Sequence, residues 1–573
     1  MRKYLIIITL FILTACSLNE KNVAALTLSN TLNSQSDVPA FVNGCYAYLS
    51  GFNCFKDSWK MLFYTADDIT GLSTDLYSNK SHDANTIQTS RFWSSLYGCI
   101  NNSNELIENL VPLNIDSAYK SRTIGEGYFL RAFCNFYLVR MWGDVPLKLK
   151  STESGKDINY PRVSADTVYQ QIFKDFIEAK NRLLPTGLLP PSELGHATKG
   201  AALGLLAKAY LTYANKLDLE GNVTAAIPYY QLAEDYADSV LNSGRYSLIA
   251  NYADIWDINK KLSNYSKEVL FGISFTRDQQ VSGSTSLGSE FASVFMPYDM
   301  PNVAGLALPA SRTFVRGGNT ITMTQTGVAT QGSIQPWFAK QYSTGDYLND
   351  YRFETSILTN WSCPADNGTL INTYTFPLTQ SPNTSGVITR KIYPYLYKYV
   401  DPYGLDGNDN GNDLFIMRLS EIYLIKAEAE NEVNGPTAKA YNAFNMLRAR
   451  ARLANGIART TPVNLQIGLT QDQFRMKIVD ERAIEFVGEG QRWFDLVRIK
   501  SPTGTTMLEY QLNTVIPALP QGAPVFNTTT RTWGGGLTFP ANVPTFQKRF
   551  LLFPIPYSEL STNQAITYQN AGY

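Results

Sequence analysis

A chain of 573 residues exceeds what one compact core serves, so it is either multidomain or built from stacked repeats. Lys+Arg and Asp+Glu number 49 each, a formal net charge of +0, which excludes the basic field that nucleic acid needs and leaves a surface of neutral polar groups suited to uncharged ligands. The only histidines, His82 and His196, lie far apart, and the 6 cysteines show no CxxC spacing, which excludes a recognisable metal-ligand cluster and imidazole-centred chemistry.

In chain order, Met1-Arg2-Lys3 is a positive n-region. Tyr4 to Ile12 is an apolar h-region too short to span a bilayer, and Leu13-Thr14-Ala15-Cys16 places small residues before a cysteine. This reads as a lipoprotein signal over 1–15, with Cys16 as the lipidated mature N-terminus. Five cysteines then remain, an odd number, so at least one thiol is free or pairs between molecules.

The segment 16–262 reads as a helical scaffold. Glu126 to Trp142 carries apolar residues at helical spacing and stops at Gly143-Asp144-Val145-Pro146. Ser164 caps a helix to Leu184, Thr198 caps one from Lys199 to Ala214 with a small-residue face, and Asn222 to Leu241 adds another. The segment 263–413 reads as an irregular insert: Glu268 to Ile273 is strand-like, and the stretch after it is dense in Gly, Ser, Thr, Asn and Pro. Such long loops on a rigid scaffold usually carry recognition. In 414–573, Leu414 to Glu432 reads as a helix, Asn434-Gly435-Pro436 as a turn, and Thr437 to Arg452 as its partner, followed by an irregular tail. Helix, short turn, helix with alanine at the contacts is the grammar of tetratricopeptide-like repeats.

Five segments in order resemble the SusD/RagB family of outer-membrane nutrient-binding lipoproteins over nearly the whole length. They are Phe92-Trp93 to Tyr97 with Asn101 and Asn104; Gly125 to Phe133 running on to Gly143-Asp144-Val145-Pro146-Leu147; Arg418-Leu419-Ser420-Glu421 to Ala429; Glu481-Arg482 with Glu485 and Glu489 to Arg498; and the ending Pro554-Ile555-Pro556 to Gln569-Asn570-Ala571-Gly572-Tyr573. The resemblance implies a mainly α fold, a tetratricopeptide-like superhelical scaffold with a large insert of loops and short strands that holds the ligand site. It also implies lipid anchorage on the outer face of the outer membrane, an oligosaccharide ligand, and a SusC-like TonB-dependent transporter as partner. One departure is that Ser17-Leu18-Asn19-Glu20-Lys21 carries a single acid where surface export in this family is associated with several.

Candidate chemistry is sparse. Glu481, Glu485 and Glu489 share one helical stripe, whereas a glycosidase needs carboxylates on opposite sides of the scissile bond, so they read as ion-paired scaffold and no catalytic residue is expected. Asp67-Asp68 is a second acidic pair, suited to sugar hydroxyls or a cation, with a helix or turn cap as the simpler reading. Asp406-Gly407-Asn408-Asp409-Asn410-Gly411 fits half of a calcium loop, but the twelfth position is Met417, so a solvated turn is favoured and no metal or cofactor is expected; calcium would need Asp401, Asp409, Asp413 or another segment to complete its shell.

Sugar recognition needs an aromatic plane over the apolar face of a pyranose and amide or carboxylate groups at its rim. By analogy with the family, the loop before Trp93 and the insert after Phe271 supply the candidates: Asp68, Tyr77, Asn79, Phe295, Tyr298, Asn302 and Trp361, with His82, Asp299 and Tyr347 nearby in the same segments. Trp93, Trp142 and Trp493 lie in scaffold motifs and are assigned to packing. The expected function is non-catalytic oligosaccharide binding and delivery to the transporter; the alternative is a protein-interaction scaffold or adhesin that uses the helical-repeat surface.

Overall fold

The computed structural model describes residues 32–71, 75–152, 158–277, 287–295, 311–316, 319–324, 332–358, 360–364, 371–375, 394–401, 410–522, 524–527, 530, 532–538 and 544–573; residues 292–293, 311–316, 319–324, 360–364, 371–375, 524–527 and 532–533 are described as backbone alone. Cys16, Tyr298 and Asn302 lie outside the described residues, as does most of the half calcium loop, 402–409.

The scaffold opens with α1 (Val38–Ser50), α2 (Ile87–Leu110), α3 (Ser117–Trp142), α4 (Ala165–Arg182), α5 (Lys199–Leu219) and α6 (Val223–Leu241). Asp116 caps α3 by accepting from the Tyr119 amide at 2.8 Å, and Gly143, at φ 71°, ends it in a conformation that a side chain would disfavour. Every residue from Phe129 to Trp142 is buried, so α3 is the central post, flanked by α2 and α4. Ser164 and Thr198 cap α4 and α5 as the sequence predicts, by accepting from the amides of Thr167 and Ala201. The small-residue face of α5 has a definite use: a Cβ at Gly204 would lie 2.6 Å from the Met417 sulfur and 2.9 Å from Leu270, so glycine lets two strands press onto the helix.

Those strands are β2 (Val269–Ile273) and, at the far end of the insert, β8 (Leu414–Arg418), which pair antiparallel from Leu414↔Ile273 to Arg418↔Val269. The sequence reading of a helix from Leu414 is therefore corrected: Leu414 to Arg418 is strand, and α7 (Leu419–Asn434) begins after Arg418, whose backbone is extended. The run Leu-Phe-Ile-Met is buried on all sides, which helix and strand both tolerate, and the ladder with β2 decides for strand. α7 packs on α6, on its hairpin partner α8 (Ala438–Ala451), capped by Thr437, and on α9 (Gln471–Phe486); α10 (Arg492–Arg498) follows.

Within the insert, β3 (Ser311–Arg316), β4 (Asn319–Thr324), β6 (Asn360–Pro364) and β7 (Ile371–Thr375) form one antiparallel sheet in the order β7-β6-β3-β4. Separately, β5 (Gly332–Ile334) pairs with β1 (Ile69–Gly71) of the N-terminal part. The tail returns to the central post: the Phe553 amide donates to Met141 O at 2.7 Å, Trp142 Nε1 donates to Pro554 O at 2.8 Å, and Asn570 Nδ2 donates to Trp142 O at 2.9 Å. Trp93, Trp142 and Trp493 are buried, and Cys45, Cys54, Cys99 and Cys134 are buried free thiols.

Candidate functional site

The acidic stripe resolves into an ionic lattice. Glu485 lies 3.2 Å from Arg352, 3.0 Å from Arg418 and 2.5 Å from Arg450; Glu481 pairs with Arg352 and Arg448, and Glu489 with Lys398 and Arg418. Glu268 and Asp350 complete a connected group of five carboxylates and five cations, all buried. Burial alone would raise the Glu485 carboxyl, yet Arg450, Arg418, Arg352 and Lys398 hold it well below the usual carboxylate range. Every acid faces a guanidinium or ammonium, so none is available as a proton donor. Glu489 lies past the end of α9, in the turn before α10, rather than on one continuous helical stripe.

Around β1 the two adjacent aspartates have different fates, and neither caps a helix among the described residues. Asp67 makes a bidentate pair with Arg492 at 2.7 and 2.9 Å. Asp68 is buried with its Oδ1 unpartnered, and burial, aided by the Asp67 charge, raises its carboxyl to about 7. Lys80 donates to Thr65 O, and burial brings its ammonium down to about 8. The notch beside them, between Tyr64, Thr70, Trp337 and Thr538, encloses only about 30 Å³, room for a water and not for a sugar.

The predicted aromatic contacts near this loop are packed. Tyr77 is 3% exposed, shares a hydroxyl–hydroxyl bond with Thr89 at 2.9 Å, and stacks on His82 with ring centroids 5.0 Å apart. Burial drives the His82 imidazole down to about 3, so it is neutral, and it meets the Tyr573 hydroxyl at 3.0 Å. Phe295 is 1% exposed, wedged edge-on against Phe63 and Trp59. Neither Tyr77 nor Phe295 presents a ring face to solvent: Tyr77 is enclosed by His82, Thr89 and Phe553 of the tail, and Phe295 by Trp59 and Phe63. Tyr347 is likewise buried, its hydroxyl 3.4 Å from Glu481. Asn79 is half-buried at the turn after Tyr77, and Trp361 lies in β6 with its backbone opposite Phe314 and Tyr374.

The acids that flank the half calcium loop are neutralised within the protein: Asp401 pairs with Arg277 at 2.7 Å, and Asp413 with Lys261 at 2.6 Å while it accepts from the Phe275 amide. Among the described residues, no cluster of three or more His, Cys, Asp or Glu stands ready for a metal.

A cleft of about 570 Å³ has the room that the notch lacks. It lies between the C-terminal end of α1 and the start of the insert, with Ser50, Phe52 and Lys56 on one wall and Lys261, Ser274 and Glu290 on the other. Phe52 is 45% exposed, with Arg91 over its ring at 5.3 Å. One turn earlier Tyr48 is also exposed, and its ring lies where a Cβ on Gly98 of α2 would stand, so the glycine makes room for it. An open aromatic ring beside hydroxyl, ammonium and carboxylate groups meets both halves of the demand that a sugar makes. The sequence signal for this site is Phe52 directly after Gly51 at the end of α1, which sequence reasoning passed over.

Two family models match the chain. The family described as "SusD family" matches residues 267–573, and the one described as "Starch-binding associating with outer membrane" matches residues 18–211. A SusD-like protein P2 of Formosa agariphila is 27% identical, with all of both chains covered. Among solved structures, a SusD homolog from Bacteroides thetaiotaomicron superposes with a TM-score of 0.71 at 22% identity, over 95% of this chain and 98% of the other. A laminarin binding SusD-like protein superposes at 0.64 with 21% identity, over 94% and 100%. These neighbours share the tetratricopeptide-like helical fold. Among the described residues, no helix is long and apolar enough to cross a membrane.

Proposed function

The chain belongs to the SusD family, and from that premise we propose that it is a non-enzymatic, lipid-anchored protein of the outer membrane that binds oligosaccharide and passes it to a SusC-like TonB-dependent transporter. The family match carries this reading. The laminarin-binding fold neighbour supports the ligand class, and the zero net charge and neutral polar surface suit an uncharged glycan. The ionic lattice speaks against catalysis by the acidic motif, since its acids are fixed in pairs.

Within this reading the Phe52 cleft is the proposed capture site. At about 570 Å³ it falls in the range of small-ligand pockets. Asn79, Tyr298, Asn302 and Trp361 stay in the proposal as separate candidate contacts to be scanned by alanine. Modest affinity suffices, because docking beside a transporter raises the effective concentration at the pore.

Isothermal titration against a glycan panel that includes laminarin is expected to show binding, weakened about three- to tenfold by Phe52→Ala, the range expected for one aromatic contact. Binding unchanged in that variant would move the site away from the cleft and leave the function standing. Absence of binding to any glycan would favour the scaffold or adhesin reading, which rests on the helical-repeat surface, and released reducing ends would establish an enzyme. For the anchor, Cys16→Ser in the full precursor is expected to move the protein from the membrane to the soluble fraction on cell fractionation; retention in the membrane would refute lipidation there.

A further inference from the structure

A second concavity, a groove of about 760 Å³, runs between α3, α4, α5, α10 and the C-terminal tail. We propose that this groove binds an organic anion whose carboxylate is attached to an apolar body, and that Arg140 takes the carboxylate.

Arg140 stands alone among the buried arginines of the described residues. Arg122, Arg131, Arg352, Arg418, Arg448 and Arg450 each have a carboxylate partner. So do Arg475, Arg482, Arg492 and Arg498. Arg140 is 8% exposed and has none. Its guanidinium is clamped with Cζ 3.9 Å from the ring centroids of both Phe136 and Phe494 and 4.6 Å from that of Tyr137. Nε donates to Phe136 O at 3.1 Å, and the hydroxyl of Tyr137 lies beside it. Glu421, whose charge reaches it, is already engaged by Arg482 and Lys208.

Three aromatic rings hold the cation in place, and the Phe136 carbonyl and the Tyr137 hydroxyl accept from it, but no carboxylate answers a fork of five N–H donors. A buried charge of this kind is costly unless it is paired, and Arg140 is one of the residues that line the groove. The walls say what the anion carries. Val139, Leu219, Phe494, Val497, Leu551 and Leu552 make the lining largely apolar. Its acids are already engaged or few: Asp144 accepts from the Ala165 amide and the Tyr568 hydroxyl, Glu220 pairs with Lys216, and Glu509 shares the wall with Lys548 and the other cations. A neutral glycan matches neither the lone guanidinium nor the apolar wall. A carboxylate on an aliphatic body matches both, whether it is a free organic acid or the C-terminus of a polypeptide.

The test titrates the mature chain calorimetrically with N-acetyl-L-leucine, N-acetyl-L-leucinamide, acetyl-Ala-Leu-Leu and its C-terminal amide. Each acid is expected to bind at least tenfold more tightly than its amide, and Arg140→Met, which keeps the stem between the rings and removes the charge, is expected to abolish that preference. Ala165→Trp, which fills the groove and leaves Arg140 in place, should remove binding of both acids, and it serves alone if the methionine variant does not fold. The tripeptide binding tenfold or more better than N-acetyl-leucine identifies a polypeptide terminus as the source; equal affinities identify a small organic acid. The proposal is overturned by acid and amide binding equally, by a preference that survives in Arg140→Met, by acid binding that survives in Ala165→Trp, or by no binding of any probe at millimolar concentration.

Discussion

Glu485→Ala is expected to destabilise the protein by about 3–5 kcal/mol, the cost of removing one partner from a buried ion pair. The reasoning rests on charge count. The lattice of Glu268, Asp350, Glu481, Glu485 and Glu489 with Arg352, Lys398, Arg418, Arg448 and Arg450 is neutral as built, and Glu485 is the member that faces three guanidinia at once. Its loss leaves an uncompensated positive charge among residues with almost no access to water, and none of the three arginines can turn outward without breaking its other pairs. Glu485→Gln keeps the shape and should lose nearly as much, which separates charge from cavity. The carboxyl is held below its ordinary range, so its contribution is present above the unfolded value near 4.5 and is lost as pH falls below that. Urea unfolding at pH 7 and pH 4 checks both claims. A midpoint shift equivalent to less than about 1 kcal/mol at pH 7 would mean that water or relaxation compensates the arginines.

The same lattice shows what was legible in the amino-acid sequence. Arg418, Glu481, Glu485 and Glu489 fall in two motifs that read as scaffold from their spacing, and the structure joins those motifs directly, Arg418 to Glu485 and Glu489. Of their other partners, Arg448 and Arg450 lie in α8, while Glu268, Arg352 and Lys398 come from the insert, where no local period announces an ion pair. Helix caps at Ser164 and Thr198 were legible because a cap is a contact over three residues. The β2–β8 ladder was not, because a buried apolar run of five has no period that separates strand from helix, and its partner is about 150 residues away. The sugar contacts failed to stand out for a similar reason. An aromatic beside an asparagine reads the same whether exposed or packed, and Tyr77 and Phe295 are packed while Phe52 is open. Arg140 illustrates the converse: within an apolar helix it reads as one more periodic position, and only the positions of every carboxylate around it in the fold show it to be unpaired.

Asp68→Asn is expected to stabilise the protein at pH 8, by up to about 4 kcal/mol, and to lose that advantage progressively as pH falls towards 4. Asp68 is buried beside a carboxylate already committed to Arg492, and its Oδ1 has no partner. Its charged form is therefore disfavoured by burial first and by Asp67 second, which together outweigh Arg492 and raise the carboxyl from 3.8 to about 7. For a group whose folded value is raised, stability is fully present below the unfolded value and is lost as pH rises through the folded one. The native aspartate thus destabilises the fold increasingly between about 4 and 7 and by a constant amount above. Asparagine has nearly the shape of the protonated acid and never ionises, so it removes this penalty without opening a cavity. Urea midpoints of both proteins at pH 8, 6 and 4.5 should converge in that order. A difference that does not change with pH would mean that Asp68 stays ionised in the fold, and that Arg492 and the Lys80 ammonium together balance both acids of the pair.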